Sequence, residues 1–538
     1  MKRTFAKNAV FLVSAAAVIF LSGCQVHPHS AEHEVLTPAN ELFPHNNLNP
    51  SSDKVKKENC MKFPVFKRKF AYSMYKDLRL SLGKMTFAKD FVNDTRGNLY
   101  PVLEKSADCC ENVQHNRYQV ASGEVRRWFC QFFPFASYEL SATVQNGCAG
   151  FVFQLPDDQQ AQILLERSKV VFRAGKEEAS VPVPAEAGVV PVLLVTCRPG
   201  AFDVYFNING RPEFCTTFSA PEFKKSRYFQ TFSNSGVSLL VRGNVTVHSV
   251  ESFIDNGISV ADIRPVRYED GTVMVENGKI FLSVTIRQEA GGYQGILSWV
   301  PGTAEFELTG ALFYDCGDGM WAGNVAASIL FHRQRKEWLL WMTAFSHGHI
   351  LGYGTMTGDP RFGVNVADVK LMDKAPESAP NEYFGGFTND EDPDFYYDAD
   401  CGKWRMAICR ARNSGYRYFF FESDDPFTGY HFIGKGIKEE AAETGGSFVK
   451  IGNERFFICG NSSQKTSNYR IYSANGMSEA RFDFPDGGFR GWGTLIPVPA
   501  GSRIRYYWLT FDRHLASSAN WSYGNLYCFE GDFSESCQ

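Results

Sequence analysis

At roughly 100–200 residues per domain, the 538-residue chain divides into two domains, and 44% apolar with 21% charged residues is globular composition that excludes wholesale disorder. Aromatic residues make up 15%, with 47 Phe and 23 Tyr among 47 Gly, so strand formers and turn formers together point to an all-β chain. The formal net charge of −4 comes with no basic stripe, which speaks against a nucleic-acid partner.

The chain opens with Lys2, Arg3 and Lys7, then an apolar run from Ala9 to Leu21 that is too short for a comfortable membrane span. The run ends in Leu21-Ser22-Gly23-Cys24. Small residues ahead of a cysteine resemble the lipobox of bacterial lipoproteins. That resemblance implies a signal peptide over residues 1–24, lipid attachment at Cys24, and an exported protein anchored in the cell envelope by lipid alone. The segment 25–58 holds His, Pro, Asn and Ser with little apolar periodicity and reads as a flexible tether.

From 59 to 255 the chain shows short alternating runs such as Ser137-Tyr-Glu-Leu-Ser-Ala-Thr-Val144 and Phe202-Asp-Val-Tyr-Phe-Asn-Ile208, punctuated by Gly, Pro and Asn. This predicts an N-terminal β-sandwich of jelly-roll type. Of 14 cysteines, 13 follow Cys24, an odd number that leaves at least one unpaired. They lack the paired spacing of a zinc site, and Cys197, Cys409 and Cys459 sit in strand-like runs as small buried residues.

From 256 to 538 a unit recurs about every 45–65 residues: an apolar strand, a tight turn, an aromatic strand, a polar loop and a further strand. The first two strands are visible in Gly271–Val284, Ala326–Trp341, Asp394–Ala407, Ser447–Ile458 and Thr494–Trp508. Five such units predict a C-terminal five-bladed β-propeller.

A propeller gathers the starts of its innermost strands around one end of a central channel, and the loop after each second strand returns there. The expected strand starts carry Glu269-Asp270, Asp315 with Asp318 and Trp321, Asp392, Glu443, and Trp492. The returning loops carry His347, His349, Arg410, Arg412 and Arg513. Carboxylates and arginines can bind sugar hydroxyls, and tryptophan faces can stack on sugar rings.

Asp392-Pro-Asp-Phe-Tyr-Tyr-Asp398 followed by Gly402-Lys-Trp404 resembles the Asp-Pro strand openings of five-bladed glycoside hydrolases, families 43 and 32 and their relatives. Glu443-Thr-Gly-Gly-Ser-Phe-Val is similar to their general-acid strand. The resemblance implies hydrolysis of glycosidic bonds, of furanosides such as arabinofuranosides, in a polysaccharide or oligosaccharide. It implies Asp318 as base or nucleophile, Asp392 as the carboxylate that orients and tunes, and Glu443 as acid. Trp321, His347, Arg412, Trp492 and Arg513 are the substrate-binding candidates. Asp315, Glu269 and Asp270 remain alternatives to Asp318, because no Asp-Pro opens that blade. No cofactor and no catalytic metal are expected; a structural cation on the propeller axis stays open. Two rival readings are a surface lipoprotein that binds glycans without cutting them, and a propeller polysaccharide lyase using His347 or a tyrosine as base with Arg412 on an acidic sugar.

Overall fold

Runs in which Val, Ile, Phe and Tyr alternate with polar residues become strands in the computed structural model. It describes residues 63–533 apart from 73–77, 94–98, 134, 156–158, 199, 225–234, 256–258, 289–290, 373–386, 413–414, 437–442, 462–467, 475, 482–488, 513–525 and 532. The predicted signal peptide with Cys24, and the tether, lie outside the described residues. The fold is all-β, with its repeating sheets in a propeller arrangement.

Two long strands organise the N-terminal part. Ser137–Gln154 and Gly236–Asp255 pair antiparallel over almost their whole lengths. Their halves then take different neighbours. Cys148–Gln154 pairs with Gln160–Glu166, whereas the stretch around Leu140 pairs with Val192–Arg198. Arg79–Met85, Arg117–Ser122 and Glu124–Cys130 line up along Gly236–Asp255. Strands from both halves contribute to one apolar core that includes Leu140, Phe151, Phe153, Val195, Phe206, Leu239 and Val247. Eleven cysteines are free among the described residues, and Cys197, Cys409 and Cys459 are buried as the strand pattern suggests.

Five further sheets, antiparallel except for two parallel pairings, follow among the described residues. Their innermost strands are Ser259–Pro265, Val325–His332, Phe387–Asp398, Glu443–Ile451 and Phe489–Ala500. Each pairs with the next long strand of its own sheet. In four of these sheets the innermost strand overlaps a unit of the sequence pattern but starts before it, at Val325, Phe387, Glu443 and Phe489. In the first it does not: Asn277-Gly278 joins the two-residue strand Val275–Glu276 to Lys279–Gln288, and the innermost strand is the earlier Ser259–Pro265. The fifth sheet takes its last strand, Lys67–Tyr72, from the other end of the chain, where it pairs with Leu526–Gly531.

Every innermost strand breaks register near its start, at Ala261/Arg264, Val325/Ser328, Glu391/Asp394, Thr444/Ser447 and Arg490/Thr494. Four of these bulges hold a residue in the left-handed region: Asp262 at φ +52°, Ala326 at +59°, Asp392 at +50° and Gly445 at +61°. A bulge removes ladder hydrogen bonds, and buried N–H groups need substitutes. Side chains supply them. Ala326 N–H donates to Thr285 Oγ1, Ala327 N–H to Gln294 Oε1, Asp392 N–H to Thr343 Oγ1, and Gly446 N–H to the Tyr418 hydroxyl. Each acceptor comes from the sheet before. The bulges therefore lock neighbouring sheets together and aim the intervening side chains at the axis.

Candidate functional site

The bulges bring three carboxylates to the same end of the innermost strands. Asp262 comes from the first sheet; its Oδ2 accepts from Thr285 at 2.6 Å, which in turn accepts from Ala326 N–H. Asp392 comes from the third, and its Oδ2 accepts from Thr444 Oγ1 at 2.9 Å and Gly445 N–H at 3.1 Å. Glu443 opens the innermost strand of the fourth. Its Oε1 accepts from Arg470 at 2.8 Å and from the Tyr472 hydroxyl, and its Oε2 from Tyr418 N–H at 3.1 Å. Trp492 of the fifth sheet joins the set by donating Nε1–H to Thr444 Oγ1 at 2.8 Å. Gly436 leaves room for Glu443, since a Cβ there would lie 2.2 Å from Oε2.

Two arginines fill the space between the strands. Arg264 Nε donates to Gly446 O at 3.2 Å and Nη1 to Ala326 O at 2.9 Å. Arg267, three residues on, pairs with Asp394 and donates to Ser328 Oγ and Phe448 O, both at 3.1 Å. Asp394 is fully engaged, accepting also from Ser328 Oγ and Phe448 N–H. The cluster of buried side chains thus holds Asp262, Asp392, Asp394 and Glu443 against Arg264, Arg267 and Arg470, one more acid than base. Arg267 matches Asp394 and Arg470 matches Glu443, so Arg264 faces both Asp262 and Asp392. Burial works against the Arg470 charge, but the bond and charge of Glu443, with Tyr472 and Cys459 beside it, together outweigh burial and hold the guanidinium pKa above its usual value. Burial also pushes the Tyr418 phenol far up, so this buried tyrosine stays protonated and is unsuited to act as a base.

The other sequence candidates fall elsewhere. Asp318 has a half-exposed side chain; it caps its own turn through Met320 N–H and stands 3.9 Å from His347 Nε2. His347 lies in a short turn, bonded to Ser346 Oγ at 2.8 Å. Asp315 caps the same loop through the N–H groups of Gly317 and Gly319. Glu269 and Asp270 follow Arg267 and Tyr268, which run beside Leu330 and Phe331, so they sit at the opposite end of the channel, bound to Arg333. Placing them at a strand start is therefore corrected: the first unit was framed one strand late. Trp321 is no free platform, because its ring packs on Phe313 and Phe133. Arg412 ends the strand Lys403–Arg412, and its side chain lies outside the described residues, as does Arg513. His349 bonds Glu391 at 2.8 Å, and the buried Arg410 binds Asp390 through two nitrogens.

The residues that sequence reasoning missed are Asp262, Arg264, Arg267 and Arg470. Ala261-Asp262-Ile-Arg264-Pro carried a usable signal, an acid two places before a second charged residue at the head of an apolar strand, as in Asp392-Pro-Asp394.

No family model matches the chain, and no curated protein matches it. Among solved structures, the chain is similar to the α-L-arabinofuranosidase of Podospora anserina solved with cellotriose, at 11% identity over 52% of this chain and 92% of that one, TM-score 0.35. A family 117 glycoside hydrolase from Zobellia galactanivorans matches at 11% identity over 52% of this chain and 86% of its own, TM-score 0.35. A carbohydrate-binding module from Bacillus subtilis matches at 12% identity over 29% of this chain and 94% of its own, TM-score 0.22. Likeness at this level assigns no activity.

Proposed function

We propose that this chain is a glycoside hydrolase whose propeller, five-bladed over residues 256–538, carries the reaction. The observation that carries the reading is that Asp262 and Asp392 sit in matching bulges of the first and third sheets, with Glu443 just ahead of the bulge of the fourth. Glycosidic cleavage needs one carboxyl to protonate the leaving oxygen and another to attack the anomeric carbon or activate water. Asp262 replaces Asp318 as base or nucleophile, since Asp318 is committed to its turn. Asp392 orients, and Glu443 is the acid. The Tyr472 hydroxyl suits both forms of Glu443, because it can donate to a carboxylate or accept from a carboxylic acid.

The substrate class, a polysaccharide or oligosaccharide with furanosides such as arabinofuranosides first, follows from the resemblance of Asp392-Pro-Asp394 and Glu443-Thr-Gly-Gly to the propeller hydrolases. The same reading includes the sandwich at 59–255 as a brace, lipid attachment at Cys24, and no cofactor. One observation favours the glycan-binding alternative: Glu443 is wholly buried and engaged at both oxygens. The test is to incubate the protein lacking residues 1–24 with a panel of polysaccharides and aryl glycofuranosides, beside Glu443→Gln, and to read released sugars by chromatography. Release by the parent and not by the variant supports the hydrolase. No release, with binding to one glycan by calorimetry, establishes the binder.

A further inference from the structure

Arg264 is among the largest fully buried side chains, yet among the described residues its hydrogen bonds go to backbone carbonyls and not to a carboxylate. Its Nε and Nη1 donate to carbonyls of the fourth and second sheets, those of Gly446 and Ala326, which both belong to bulges. The guanidinium therefore spans the channel inside the ring of bulges. Its Nη2 has no hydrogen-bond partner among the described residues. Loss of hydration pulls its pKa down, but Asp394, Asp392, Tyr418 and Asp262 around it outweigh that and hold it raised. A fixed charge at such a place dominates the local field, as a bound metal ion would.

We propose that Arg264 is a built-in axial cation, a positioning residue whose guanidinium neutralises Asp262 and Asp392 together and braces the bulges of the second and fourth sheets, whose Ala326 and Gly445 N–H groups bond Thr285 beside Asp262 and Asp392 itself. This rests on the reading of the same pocket as the site. Removing the side chain leaves a guanidinium-shaped cavity among carboxylates and free carbonyls, and that cavity selects a cation that can donate in a plane. Sodium cannot replace it, and neither can neutral urea.

The experiment reads melting by calorimetry and needs no substrate, so its failure is separable from failure of the hydrolase reading, which the parent's sugar release tests. Arg264→Ala is expected to melt on the order of 5 °C below the parent. About 20 mM guanidinium chloride should recover much of that loss, while equal sodium chloride or urea should not. Equal response to guanidinium and sodium overturns the proposal. Should Arg264→Ala fail to fold, Arg264→Lys and Arg264→Met decide. A folded Lys variant with an unfolded or much weaker Met variant supports a required charge. A Met variant that melts with the parent overturns it.

Discussion

Carboxylates in this protein divide by what already holds them. Asp394 accepts from Arg267, Ser328 and Phe448, so both of its oxygens are tied into the packing between sheets. Breaking a buried ion pair strands its partner, so Asp394→Asn should destabilise by about 3–5 kcal/mol in urea unfolding. Asp318→Asn removes only an exposed turn cap and should stay within about 0.5 kcal/mol of the parent. The buried Glu111 gives a pH prediction. Burial raises its pKa, but bonds from Lys105, Tyr118 and Arg127 lower it more, and the net shift is downward. A folded pKa below the unfolded one adds stability that is present above the unfolded value and lost as pH falls through the folded one. The parent should therefore lose stability between about pH 4.3 and more acid pH, and Glu111→Gln should flatten that stretch of the melting curve against pH. Asp392 and Glu443 were legible in the sequence because Pro393 and Gly445-Gly446 flank them. The arginines were not: an arginine is read as surface unless its partner is seen, and Asp394 lies 127 residues from Arg267.

Strands with apolar alternation and a Gly-containing turn were readable wherever two stood side by side, as in Ser447–Ile451 with Glu454–Ile458. The first unit failed because the strong Asn277-Gly278 turn signal marks a minor hairpin, and the true partner of Lys279–Gln288 lies before it. Bulges left no direct trace in composition, because their cost is met by side chains of another sheet, such as Thr343 for Asp392 and Tyr418 for Gly446. The left-handed backbone at Gly445, φ +61°, is the exception that glycine advertises. Gly445→Ala should cost about 1–2 kcal/mol in urea unfolding, with the larger fractional loss in sugar release, since the bulge sets the Thr444 and Asp392 geometry.

At the scale of the whole molecule, the two ends of the chain close one sheet: Lys67–Tyr72 lies on Leu526–Gly531. The N-terminal sheet also packs on the first propeller sheet through Phe133 and Phe135 against Phe313. A chain lacking residues 1–58 should keep a single cooperative transition. One lacking 1–72 should melt lower or in two steps in calorimetry, because Tyr527 and Cys528 lose their cover. Alternation within a strand says which residues face a core, but it does not say which distant strand completes a sheet. The central claim, that the acid-bearing bulges and not the Asp318 loop form the reacting centre, is tested most directly by one paired measurement. Sugar release and melting temperature would be recorded for Asp262→Asn and Asp318→Asn on the substrate found for the parent. The account predicts that Asp262→Asn stays folded and loses about 10²–10⁴-fold in rate, while Asp318→Asn keeps both rate and stability. Full activity in folded Asp262→Asn, or its loss in folded Asp318→Asn, would contradict it.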